Sequence, residues 1–145
     1  MMKWVLLMTL AAAWAGDRTR TTWDGVYSDD QAARGRPLYN RECGSCHSEA
    51  MTGGEMAPPL AGGEFLSNWT GLSVGELLDR MRNTMPLNKP KSLNRQSNAD
   101  ILAYMFSVNR FPSGKAELPT DGETLKQIRI EAMAPPDSQP KEPRP

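Results

Sequence analysis

One histidine, two cysteines and no net charge limit what this 145-residue chain can be. A structural zinc site wants four nitrogen or sulfur ligands, usually in two pairs. One histidine and two cysteines cannot supply them. The 17 basic residues are balanced by 17 acidic ones. No charge excess remains to bind nucleic acid or a membrane surface. Long apolar runs are scarce: beyond the N-terminal stretch, no segment approaches the roughly 20 residues that cross a bilayer. Aromatic residues make up 7% of the chain. A domain of this size buries a limited core and often needs a staple.

What is present begins with an export signal. Lys3 supplies a positive start, Trp4 to Trp14 an apolar run, and Ala13-Trp14-Ala15 a small-x-small cleavage site. This order predicts a signal peptide over 1–15, cut after Ala15. An uncleaved membrane anchor is the alternative, and the run is short for one.

Residues 16–27 are polar and irregular, a leader whose Trp23 and Tyr27 are expected to pack back on the domain. Ser28-Asp29-Asp30-Gln31 reads as a capping box that opens a helix from Asp29 toward Cys43. Pro37 inside it predicts a kink or a later start. Residues 51–63 are rich in glycine and proline and read as loop. Ser73-Val74-Gly75-Glu76 caps a second helix, which ends at Met85-Pro86 because the residue before proline is pushed out of helical conformation. A third helix spans about 95–109, with a wide apolar stripe at Ile101, Leu102, Tyr104, Met105, Phe106 and Val108. Thr120-Asp121-Gly122-Glu123 reads as a further capping box. No strand pattern stands out, so the expected fold is all-α. The division is a domain over 28–112, an extension with a short helix over 113–134, and a proline-rich disordered tail over 135–145.

The chemistry sits in Cys43-Gly44-Ser45-Cys46-His47, a C-x-x-C-H run that is the attachment signature of c-type haem. Each thiol adds to one vinyl group of the porphyrin. Two residues between them, in a helical turn, place both sulfurs at neighbouring pyrroles, and the next residue points its imidazole at the iron. A thioredoxin-like pair would follow a strand in a βαβ pattern, which is missing here. A plain disulfide would leave His47 unexplained. One haem c, joined at Cys43 and Cys46 and held by His47, is therefore expected, and export suits its attachment.

The second side of the iron needs another ligand, and no histidine is left. Methionine is the usual partner in electron-transfer cytochromes. Met81 and Met105 read as core residues, Met51 and Met56 follow His47 too closely, and Met133 lies beyond the domain. Met85 sits just past a helix end in a loop stiffened by Pro86, where a thioether can lie over the far face of the ring. It is the expected axial ligand.

From Tyr27 to Phe111 the residues resemble the class I cytochrome c family, more loosely the small cytochromes that accompany bacterial quinoprotein dehydrogenases. The resemblance implies three to four main helices packed around one covalently attached haem. It sets Gly35, Tyr39 and Tyr104 at a crossing of first and last helices. It implies that Pro59, in Ala57-Pro58-Pro59-Leu60, orients His47 through its backbone carbonyl. It matches Thr84-Met85-Pro86 to the distal-ligand region. It also suggests Trp69 as a hydrogen-bond donor to a haem propionate, with a plain packing role as the alternative. Asn68-Trp69-Thr70 matches a glycosylation sequon and is taken as chance.

The functional expectation is a one-electron carrier, not an enzyme, and a monomer in the periplasm or secreted. It would dock weakly with redox partners, a dehydrogenase as donor and a cytochrome or oxidase as acceptor. A haem sensor or peroxidase-like enzyme with a displaceable sixth ligand is the alternative. It lacks support from a distal histidine or an acid–base pair. A fixed subunit of a dehydrogenase complex would keep the same chemistry.

Overall fold

The structure, a computed structural model, describes residues 19–136. The predicted signal peptide and all but the first two residues of the predicted tail lie outside the described residues. The elements are β1 (Arg20–Thr21), α1 (Asp29–Glu42), α2 (Gly44–His47), α3 (Gly63–Trp69), α4 (Val74–Thr84), α5 (Arg95–Val108), α6 (Gly122–Lys126) and β2 (Ile128–Arg129). The molecule is mostly helical. No described helix is long and apolar enough to cross a membrane.

Helix α1 starts where its cap places it. The Ser28 hydroxyl accepts from the Gln31 amide at 3.1 Å, and Asp29 and Asp30 in the first turn suit the positive end of the helix dipole. The predicted box is only half formed. The Gln31 side chain, fully buried, turns away from Ser28 and pairs with the backbone of Leu118, its amide donating at 3.1 Å and its oxygen accepting at 2.7 Å. A distant partner has outbid the local one. The helix also does not start late at Pro37 but runs through it. The proline lies on the exposed face, and the buried face is held by packing on α5.

That packing is close because Gly35 permits it. An ideal Cβ there would overlap the Asp100 carbonyl oxygen and stand 2.5 Å from its carbon. One turn on, the Tyr39 and Tyr104 rings meet edge to face at 5.6 Å between centroids. Arg34 of α1 reaches Asp100 of α5 at 3.1 Å and Glu117 at 2.8 Å, tying both helices to the segment beyond them.

Helix α4 has both halves of its capping box, Ser73 hydroxyl to Glu76 amide and Glu76 carboxylate to Ser73 amide. Helix α5 is capped by Asn94. Helix α6 is capped by Asp121, one residue later than the box at Thr120 predicts, because it is the Asp121 carboxylate that accepts from the Thr124 amide.

The strictly all-α expectation needs one correction. β1 pairs in parallel with β2, Arg20 opposite Ile128 and Thr21 opposite Arg129. Two-residue strands are too short for any alternation to show in sequence. Around this ribbon the two ends of the described chain interlock. Trp23 donates its indole N–H to the Glu131 carbonyl at 2.9 Å, and Tyr27 its hydroxyl to the Phe111 carbonyl at 2.6 Å. Val26, Tyr27, Leu118, Leu125, Ile128 and Ile130 are buried in the same core as the helices. The segments flanking 28–112 are therefore walls of the domain.

Candidate haem site

Cys43 closes α1 and opens α2. Its amide donates to Tyr39 O at 2.8 Å, and its carbonyl accepts from Cys46 and His47 amides at 3.2 and 3.0 Å. One helical turn thus presents both thiols and the imidazole. Cys43 is half-buried and Cys46 exposed, and both are free. Burial pushes the Cys43 thiol up to about 11, with the charges of Glu42 and Cys46 adding to the effect.

His47 is buried, and its Nδ1 lies 2.8 Å from the carbonyl oxygen of Pro58. A carbonyl only accepts, so Nδ1 carries the hydrogen and Nε2 keeps its lone pair for a metal. The expectation of Pro59 is off by one residue: the orienting carbonyl belongs to Pro58. The loop between them explains the offset. Gly53 donates to His47 O at 3.0 Å and Gly54 to Ala57 O at 2.9 Å, folding the chain back so that Pro58 faces the ring. Gly53 has φ of 79°, and a Cβ there would stand 2.7 Å from Ala57 O and Pro59 N. Only glycine fits both demands. Tyr39 fixes the start of the loop by donating its hydroxyl to Ser48 O at 2.7 Å.

Met85 is the C-cap of α4. Its amide donates to Met81 O at 2.8 Å, while its own backbone is extended, as a residue before proline must be. Its side chain is half-buried. The other methionines sort by burial. Met51 and Met105 are sealed in the core and Met81 packs against it, whereas Met56 and Met133 are exposed. Trp69, at the end of α3, packs on Phe65 with ring centroids 6.5 Å apart. Among the described residues its indole N–H has no hydrogen-bond partner, so the structure brings it no nearer to one of its two expected roles than the other.

These features fit a haem. Leu60, Leu66, Trp69, Met81, Leu93 and Tyr104 are apolar or aromatic, lie against the core and remain only partly buried. They suit a flat apolar ring. No three His, Cys, Asp or Glu residues cluster as a cage for a bare metal ion among the described residues.

Residues 30–105, more than half of the chain, match the family described as cytochrome C oxidase, cbb3-type, subunit III. The chain belongs to this cytochrome c family. The family implies haem c and electron transfer. Among curated proteins the cytochrome is similar to the "Cytochrome bc1 complex cytochrome c subunit" of Corynebacterium diphtheriae, 34% identical over 94 residues. That match takes in 62% of this chain and 31% of the relative, so the chain spans about a third of the relative's length. Among solved structures it is similar to the sulfane dehydrogenase SoxCD of Paracoccus pantotrophus, at 21% identity and a TM-score of 0.48, over 74% of this chain and 61% of that one.

Proposed function

We propose that the protein is an exported class I cytochrome c with one haem, carrying single electrons between a dehydrogenase and a cytochrome or terminal oxidase. The signal peptide is cut after Ala15 and the mature protein works as a periplasmic or secreted monomer. Cys43 and Cys46 hold the haem through thioethers. His47 Nε2 and the Met85 thioether would hold the haem iron, and the Trp69 indole would be available to a propionate. The bound iron supplies the one-electron couple.

The observation that carries this reading is the His47–Pro58 hydrogen bond. It selects the tautomer with Nε2 free, in the turn that bears two free thiols. Every other task falls to the chain. Gly53 and Pro58 hold the imidazole plane, Tyr39 holds the loop, and Met85 leaves α4 where Pro86 forces its backbone extended. With His47 and Met85 both holding the iron, no coordination site would be left for substrate, which would separate a carrier from a sensor or peroxidase.

The test is the optical spectrum of the ferric protein beside that of Met85→Ala. A far-red iron–thioether band in the first and its loss in the second are expected. A five-coordinate, high-spin spectrum in the unmodified protein refutes the carrier reading. Acid–acetone extraction should leave the haem on the chain, and release into the solvent refutes covalent attachment.

A further inference from the structure

The loop that follows Met85 is held by little of its own. Lys89 N donates to Pro86 O at 2.9 Å, Ser92 N to Lys89 O at 3.3 Å and Lys91 N to Arg82 O at 3.1 Å. All three bonds stay within the loop or return to the helix just before it. Pro86 is buried, but Leu87 at the tip is 79% exposed, so apolar burial does not seat the tip.

Asn98 Nδ2 of α5 holds the far end of the loop at Leu93 O, 3.1 Å, and among the described residues one ion pair carries the tip across to the other side of the site. Lys89 Nζ lies 2.8 Å from Glu42 Oε2. Glu42 is the last residue of α1 and precedes Cys43, the first haem thiol. Its side chain is only 9% exposed, and its other oxygen accepts from Arg41 Nε at 2.8 Å. Lys89 first, and then Arg41, hold the carboxyl below its usual range. Arg41 is its neighbour on the same helix, so it supplies charge but no bridge. Lys89 is four residues past Met85 and belongs to the distal loop. The pair therefore ties the attachment segment to the loop that carries the distal thioether.

We infer that the Glu42–Lys89 ion pair is a clasp that keeps the Met85 loop closed, and so sets how readily Met85 yields the iron to another ligand. This rests on the reading of Met85 as axial ligand. Both residues act through Met85 and are positioning residues. A thioether is a neutral ligand on a chain that must swing away before a competitor enters. An anchor four residues along governs the frequency of that swing. Glu42 is shielded from solvent but the Lys89 side chain is half exposed, so the pair has the modest, salt-sensitive strength of a partly exposed ion pair.

The experiment follows imidazole displacing Met85 in the ferric holoprotein, by stopped-flow loss of the far-red band at saturating imidazole, where loop opening limits the rate. Glu42→Gln and Lys89→Gln are each expected to exchange about fivefold faster, the size of a modest ion-pair contribution. Lys89→Arg should restore nearly the original rate. Added salt should speed exchange in the unmodified protein and leave Lys89→Gln flat. Lys89 is exposed, so its variants keep the test independent of any effect of Glu42→Gln on haem attachment beside Cys43. A band with unchanged exchange rates in both variants overturns the clasp and leaves the Met85 reading intact. An unmodified protein without the band overturns both.

Discussion

Replacing Gly35 with alanine tests the helix crossing that frames the site. At an exposed helical position the change would stabilise by about 1 kcal/mol, because alanine loses less backbone entropy than glycine. At Gly35 the new Cβ meets backbone, not a flexible side chain: the Asp100 carbonyl overlaps it, and Ile101 N stands 3.0 Å away. Neither atom can move unless α5 moves. Parting the helices by about 1 Å forfeits a quarter to a half of the dispersion well of the facing atoms. The layer affected includes Tyr39 against Tyr104. Overpacking of this kind costs about 1–3 kcal/mol in a core that can adjust, and this one is bounded by backbone. Set against the propensity gain, Gly35→Ala should lose about 2–3 kcal/mol, a large part of the roughly 5–15 kcal/mol that holds a domain folded. With a urea slope of about 1–3 kcal/mol per molar, the midpoint should fall by about 0.7–3 M. The assay is urea unfolding of the holoprotein by far-ultraviolet circular dichroism. Gly63→Ala is the control: Gly63 is an exposed residue of α3 with nothing within 4 Å of its added Cβ, so it should lose no stability and gain up to about 1 kcal/mol. A Gly35→Ala midpoint equal to or above the original would refute the close crossing.

Two further outcomes follow from buried and capping groups. Gln31→Met strips the Leu118 amide and carbonyl of their buried partners, at about 1–3 kcal/mol for each group left unpaired. A urea midpoint lowered by about 3 kcal/mol in free energy is expected, and a loss under about 1 kcal/mol would show that Gln31 does not secure the extension. Glu76→Gln weakens the α4 capping box, in which hydrogen bonds from the Ser73 backbone and hydroxyl hold the carboxyl below the usual glutamate range. A lowered folded pKa contributes stability that is present above the unfolded value and lost as pH falls through the folded one. The variant should therefore melt lower than the original at neutral pH, and the gap should close as both are acidified through and below the ordinary range of a carboxylate. A gap independent of pH would refute the charged cap.

What could be read from sequence followed from how local each feature is. The attachment turn is five consecutive residues, and the structure has it as one turn of helix. The caps at Ser28 and Ser73 need only a hydroxyl and an amide three residues on, and both form. Non-local partners were invisible. Gln31 answers Leu118, 87 residues away, so its half of the box at Ser28 is empty. The proline carbonyl beside His47 was legible as a type of contact but not to the residue, since Pro58 and Pro59 are neighbours and the Gly53 turn decides which faces the ring. Thr120 and Asp121 are both good caps, and the chain direction at α6 selects the second. The Glu42–Lys89 pair spans 47 positions of sequence, and nothing in a charge pattern marks it. The paired strands at 20–21 and 128–129 hold no period to detect.

The interlocked ends bear on where this cytochrome can be cut or joined. The family match covers 30–105, and excising that span would stop inside α5 and strip away Tyr27, Phe111, Leu118 and Ile130. A transplanted module should keep the span from the strand at Arg20 to Glu131, whose carbonyl accepts from Trp23. A fusion partner would then be attached beside the ribbon whichever end carried it. Swapping attachment from one end to the other would change the order of the genes' pieces far more than the point of suspension of the redox centre.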